Sequence, residues 1–337
     1  MFNKNYKLTD KTVWKGRTDS KSNFDAFRWH QWVESMDLRN DNLSPYEGEL
    51  GFAFIGFCCD EGIKRNKGRG GATKGPISIK KELANLPCCF TRDVKLFDAG
   101  NILCENCTLE ESQKLLSKAV AKILDLNLFP IVLGGGHEVA FGHYNGILDY
   151  LKQKEDKPNI GIINFDAHFD LRPYPNGGSS GSMFRQIADQ CKEEDLEYAY
   201  LCLGIQKHRN TIDLFKTAEG LGAQYILAKD IINYDDFSIV EKLDDFMKLR
   251  DYFYITICSD VFSSAFAPGV SATQPFGLEP ERVLKFLKYI LRSNKVISFD
   301  IAEVSPRFDQ DNTTANLAAV LIFSVINTLA QMNNLDL

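Results

Sequence analysis

The apolar run Ile160–Phe165 breaks off into Asp166-Ala167-His168-Phe169-Asp170, and that junction restricts the fold more than any other stretch of the chain. A short, largely apolar run with no polar alternation reads as a strand covered on both faces. Two carboxylates and an imidazole leaving the end of such a strand are buried charge, which a fold tolerates only where something neutralises it. Alternate residues of an extended chain share a side, so Asp166, His168 and Asp170 are expected to point together. A metal site accounts for this segment better than a charged turn does.

Other strand-like runs are Gly51–Phe57, Val94–Phe97, Pro130–Leu133, Tyr198–Leu203, Gln224–Ile226, Tyr252–Ile257 and Val296–Phe299. Helix-like stretches lie between them: Ile77–Leu86, Leu109–Leu126, Ala140–Leu151, Gly181–Cys191, Thr211–Leu221, Phe237–Leu249, Pro280–Arg292 and Thr313–Gln331. Thr108 and Glu111 form a capping box before Leu109, and Pro76 suits a first helical turn. This alternation predicts an α/β fold, a three-layer α/β/α sandwich on a mostly parallel sheet of about eight strands. Residues 1–45 are polar and irregular and are expected to pack on the domain as an extension, with 46–337 forming a single domain. In such sheets ligands sit beyond the carboxyl ends of the strands.

Composition narrows the partners. A net charge of −6 gives no field to hold a polyanion, which argues against nucleic acid. The first residues lack the apolar stretch of a signal peptide, and no apolar run is expected to be long enough to cross a membrane. The nine cysteines include the adjacent pairs Cys58-Cys59 and Cys88-Cys89, a spacing that disulfide scaffolds seldom use. Cys104 and Cys107 form one C-x-x-C with no second pair to complete a zinc cage. All are read as reduced thiols in a cytoplasmic protein. A homo-oligomer remains open.

Further strand ends release ligand-type residues. Pro130–Leu133 runs into Gly134-Gly135-Gly136-His137-Glu138, Tyr252–Ile257 into Cys258-Ser259-Asp260, and Val296–Phe299 into Asp300-Ile301-Ala302-Glu303. Singly, the glycines read as an anion cradle without a P-loop lysine, His137 as a core histidine, and Asp260 as a turn cap. At one edge of one sheet they read as a single site.

In this order, G-G-G-H-E, D-A-H-x-D and a third acidic strand end followed by Ala265-Phe266-Ala267-Pro268-Gly269 resemble the ureohydrolase family, which includes arginase, agmatinase and formimidoylglutamase. The resemblance runs from about Phe52 to the C-terminus. Finer features are similar to the formimidoylglutamase branch: Trp14-Lys15-Gly16-Arg17-Thr18-Asp19, Arg28-Trp29-His30-Gln31, Asp60 through Arg69, Asp170-Leu171-Arg172, Ser179-Ser180-Gly181, Gly204-Ile205-Gln206, and Ala267 through Ala272. The resemblance implies two Mn²⁺ ions per chain. His137 and Asp170 would bind one and His168 and Asp260 the other, with Asp166 bridging both. It implies a catalytic role for Asp166 and for Glu303, at the substrate's nitrogen-bearing end. It also implies metal-dependent hydrolysis of N-formimidoyl-L-glutamate to L-glutamate and formamide, a step of histidine degradation, with a small-molecule substrate as partner. Another amidine or guanidine hydrolase, such as agmatinase or a guanidino-acid hydrolase, is the alternative, as is a catalytically impaired metal-binding relative.

Two departures from the family pattern bear on this. Cys258 stands where the family has a second bridging aspartate. It either bridges as a thiolate, which tilts the site toward softer metals, or is an inert thiol beside a single well-bound ion. Ser180 stands where arginase and agmatinase carry a proton-transferring histidine, so another group must protonate the leaving nitrogen. For the substrate's two carboxylates, the basic loop Lys64–Arg69 supplies Arg65 and Arg69, with Arg172, Asn210 and Ser180 as further binding candidates.

Overall fold

The computed structural model describes residue 2 and residues 4–337. Its sheet contains β1 Tyr6–Lys7, β2 Val33–Ser35, β3 Leu50–Cys58, β4 Val94–Leu103, β5 Phe129–Leu133, β6 Ile160–Phe165, β7 Ala199–Ile205, β8 Gln224–Leu227, β9 Tyr252–Cys258 and β10 Val296–Ala302. The order across the sheet is β1-β4-β3-β5-β10-β9-β6-β7-β8, with β2 also paired to β4. Every pairing is parallel except β1 with β4. The eight longer strands are those expected. β1 and β2 are additions, both supplied by the N-terminal extension.

Alternate strand residues serve opposite faces, and each face has its own core. Phe52, Phe54, Ile163, Phe165, Ile255 and Ile257 pack on one side with helices Gly75–Leu83, Asp236–Met247, Pro280–Leu291 and Thr313–Met332. Ala53, Ile55, Phe57, Ile162, Tyr200 and Tyr254 pack on the other with helices Leu109–Asp125, Val139–Leu151 and Met183–Glu193. These are the three layers. Helix Thr313–Met332 corrects one expectation: with a mean hydropathy of 1.6 it is long and apolar enough to span a membrane. Its apolar residues, including Ile322, Val325 and Ile326, instead fill the core beside the sheet.

The extension is built into the fold rather than laid over it. Its two strands cover the outer edge of β4, which would otherwise present unpaired backbone groups. Trp29 is fully buried and stacks on Phe54 and Phe323. Trp14 donates its indole N–H to Asp98 Oδ2, whose other oxygen accepts from the buried Lys80 Nζ at 2.7 Å. Lys80 also reaches Thr9 Oγ1 at 2.8 Å. A buried cation satisfied this fully is consistent with its burial.

The topology does the positioning. β5, β10, β9 and β6 are consecutive in the sheet, and these are the four strands whose carboxyl ends carry His137, Glu303, Cys258 with Asp260, and Asp166 with His168 and Asp170.

Candidate metal centre

Asp166 sits between two histidines and gives each a different oxygen. Its Oδ2 lies 3.0 Å from His137 Nδ1, and its Oδ1 lies 3.4 Å from His168 Nδ1. Asp170 Oδ2 is 3.2 Å from His137 Nδ1, and Asp260 Oδ2 is 3.2 Å from His168 Nδ1. Two trios result, His137–Asp166–Cys258 and Asp166–His168–Asp260, and within each the candidate ligand atoms lie within 4.8 Å of one another. Asp166 is the shared member. The Cys258 thiol also acts on the Asp260 carboxylate, so it borders both trios.

The way these side chains converge differs from simple strand alternation. β6 ends at Phe165, and residues 166–170 form a turn. The His168 N–H donates to Asp166 Oδ1 at 2.8 Å, which folds the chain back on itself. Asn210 pins this turn, donating to Ala167 O and accepting the Phe169 N–H. Its polar atoms are thereby used, so Asn210 holds the metal-type turn and is not brought to the cleft as a substrate contact. Asp170 and Glu303 adopt left-handed backbone, with φ of 51° and 67°. Such conformations cost about 1–3 kcal/mol each and cluster at functional sites.

The triple glycine has a steric purpose. The Gly134 N–H donates to Ile301 O and the Gly136 N–H to Cys59 O, so these amides are not an anion cradle. A Cβ on Gly135 would meet Cys59 O at 1.8 Å. Only glycine lets the β5 exit pass this close to its neighbour and deliver His137 to the site.

A buried hydrogen-bond chain orients His137 from behind. His137 Nε2 lies 2.9 Å from Thr256 Oγ1, and the Thr256 hydroxyl donates to Asp300 Oδ1 at 2.6 Å. A hydroxyl has one proton, and Asp300 takes it. Thr256 must therefore accept the His137 Nε2–H, which leaves Nδ1 to face Asp166 and Asp170. Asp300 Oδ2 is held in turn by His143 Nδ1 and by Tyr254. Thr256→Val should weaken metal affinity about 10–100-fold. Titration of bound metal against a competing chelator checks this, and an unchanged affinity would leave the chain without an orienting role.

Electrostatics suit a cation. Burial opposes charge on His137, yet Asp166 and Asp170 outweigh it and hold the imidazolium well above its usual range. His168 is raised likewise, against burial, by Asp260 and Asp166. Burial pushes Asp170 up to about 6, aided by the Asp166 charge. Burial, and then the surrounding carboxylates, push the Cys258 thiol up. Burial raises Glu303 well above the carboxylate range while its Oε1 accepts the His137 N–H at 2.9 Å. Asp260 Oδ1 is buried without a hydrogen-bond partner. Crowded carboxylates, an orphaned oxygen and imidazoles that protonate only to compensate form a donor set that fits divalent cations.

Above this cluster lies a cleft of about 360 Å³ lined by His137, His168, Asp170, Cys258, Asp260 and Glu303 at its foot. Asn66, Lys67, Arg69, Arg172, Ser180 and Arg209 are among the residues of its wall. Arg65 is not brought to the cleft: its guanidinium is paired with Glu110 at 2.5 Å and donates to Gly178 O. Arg69 reaches the wall, but Nε and Nη2 donate to Ser271 O and Val270 O, and the group stacks on Phe308 at 4.1 Å. Arg172 and Lys67 have no ion pair among the described residues. Arg209 was missed from sequence, although it directly precedes Asn210.

Comparison with known proteins places this architecture. Residues 50–327 match the model of the arginase family. The chain is 69% identical over 338 residues to a formimidoylglutamase of Clostridium tetani, covering 100% of both. It is 44% identical over 321 residues to a formimidoylglutamase of Geobacillus sp., covering 95% of this chain and 96% of the other. Among solved structures, formimidoylglutamase from Bacillus subtilis superposes with a TM-score of 0.78 at 22% identity, covering 94% and 96%. Trypanosoma cruzi formiminoglutamase with Mn²⁺ superposes with a TM-score of 0.74 at 24% identity, covering 86% and 97%. A metal-type cluster at the carboxyl ends of adjacent parallel strands and a family match across most of the sequence agree: the chain belongs to the arginase family.

Proposed function

We propose that the protein hydrolyses N-formimidoyl-L-glutamate to L-glutamate and formamide with two Mn²⁺ ions. The observation that carries this reading is the full-length, 69% identity to the Clostridium tetani formimidoylglutamase. That match includes the N-terminal extension that braces β4. His137, Asp166, Asp170 and Cys258 would hold one ion, and Asp166, His168 and Asp260 the other. Such a pair supplies Lewis-acid activation of the attacking water at neutral pH. Cys258 is read as the thiolate that joins the two sites, since its sulfur approaches members of both trios.

The remaining work falls to the chain's own groups. Glu303, buried and held toward its acid form, would hold a proton near the amidine nitrogens. Its hydrogen bond to the His137 N–H fixes its reach. The cleft wall is cationic, as a substrate with two carboxylates requires. Incubation with N-formimidoyl-L-glutamate should release formamide, while arginine and agmatine should release no urea. Urea from either, or no turnover in a metal-loaded protein, would defeat the reading.

Arg172→Ala should raise KM about ten- to a hundredfold, since a lost charge-assisted contact to a carboxylate is worth about 1.5–3 kcal/mol. Arg65→Ala should leave KM unchanged and cost at most about 1 kcal/mol of stability, because it breaks a partly exposed pair with Glu110. Steady-state kinetics on both variants checks this pair of outcomes. An effect of Arg65→Ala larger than that of Arg172→Ala would reverse the assignment.

A further inference from the structure

Three cysteines gather where β3 and β4 leave the sheet, outside the metal-type cluster. The two strands run parallel with Cys58 opposite Leu103, so the next residues out are Cys59 and Cys104, side by side. The Cys104 N–H donates to Cys58 O at 3.4 Å, the bond that closes this last pair. The two thiols are near enough for each to act directly on the other's ionisation. Adjacent strands lie about 4.8 Å apart, within the Cα separation that a disulfide spans without backbone movement. Cys107, three residues on, also acts on Cys104, but its sulfur is engaged by other groups, at 2.7 Å from Asn5 Nδ2 and 3.1 Å from Ser112 Oγ.

The pair is polarised. The neighbouring Cys59 thiol pushes the Cys104 thiol down to about 6 against the effect of burial. The Cys104 thiol, together with burial, pushes Cys59 up. One thiol is thus shifted toward its thiolate beside a second held toward its protonated form, a polarity found in reactive dithiols. Access matches this division, since Cys59 is buried and Cys104 is partly exposed.

We propose that Cys59 and Cys104 form a reversible disulfide by exchange with a small-molecule disulfide such as glutathione disulfide. The Cys104 thiolate attacks one sulfur of the oxidant, forming a mixed disulfide and releasing one glutathione thiolate. Cys59, once deprotonated, attacks the Cys104 sulfur and releases the second. Two protein thiols lose two electrons and two protons, and the oxidant becomes two thiols. The bridge would cap the β3 exit. There the Cys59 carbonyl accepts the Gly136 N–H at 2.9 Å, one residue before His137. From the same point the chain runs on into the loop containing Asn66, Lys67 and Arg69 of the cleft wall.

The test is peptide mapping without reduction. Metal-loaded protein is equilibrated in glutathione buffers of increasing oxidised fraction, quenched with N-ethylmaleimide, and digested. A Cys59–Cys104 linked peptide is expected, removed by dithiothreitol, retained in Cys107→Ser and absent in Cys104→Ser. Two results would overturn the proposal: no linked peptide at any ratio, or a Cys104–Cys107 link in its place. Cys104→Ser replaces a partly exposed thiol, so its fold can be verified by circular dichroism before the comparison is drawn.

Discussion

Asp166→Asn should abolish metal binding and reduce turnover by on the order of 10³-fold or more while the protein stays folded. The magnitude follows from the several kcal/mol of charge stabilisation that bound ions supply, at about 1.36 kcal/mol per factor of ten. Asp166 alone belongs to both ligand trios, so its loss damages both sites at once. Folding should survive because the amide oxygen of asparagine still accepts the His168 N–H that closes the turn. The other end becomes an N–H₂ facing His137, where Oδ2 now lies 3.0 Å from Nδ1, and an N–H₂ cannot ligate a cation. Metal content by mass spectrometry, turnover and thermal unfolding are read together. A folded variant with parental turnover would remove Asp166 from the site.

Cys258→Asp should raise the preference for Mn²⁺ over Zn²⁺ by about tenfold or more, equivalent to ~1.4 kcal/mol. Carboxylates suit Mn²⁺, whereas thiolates favour softer ions. The substitution changes the donor atom at a buried position that borders both trios and leaves the other ligand-type residues in place. Competition between the two metals, with content measured after desalting, gives the ratio. In the parent protein, iodoacetamide should modify Cys258 only after chelation, because a coordinated thiolate resists alkylation. Equal labelling with and without chelator, in a protein holding one ion, would rule out the bridge.

The strands and most helices could be read from the chain because each is a local matter. Continuous apolar runs such as Ile160–Phe165 are buried on both faces whatever surrounds them, and the capping box at Thr108 and Glu111 closes within one turn. The short helices Trp29–Trp32, Glu61–Arg65 and Ala228–Asn233 were not anticipated. At four to six residues they are too brief to show a period, and tertiary contacts carry them.

The sequence by itself determined which residues gather, because ligand-type side chains following buried strands must meet at one sheet edge in a parallel fold. It also marked Cys258 and Ser180 as departures from the family pattern. Tertiary structure decided what each basic or amide side chain does there. Arg65 turns to Glu110, Arg69 spends its donors on backbone carbonyls, and Asn210 braces the Asp166–Asp170 turn. Those choices depend on partners up to 202 residues away in sequence. Long side chains take whichever acceptor the fold brings near, and no local pattern records that. The same holds for the extension, whose strands and Trp29 found their places only once β4 and Phe54 were there to receive them.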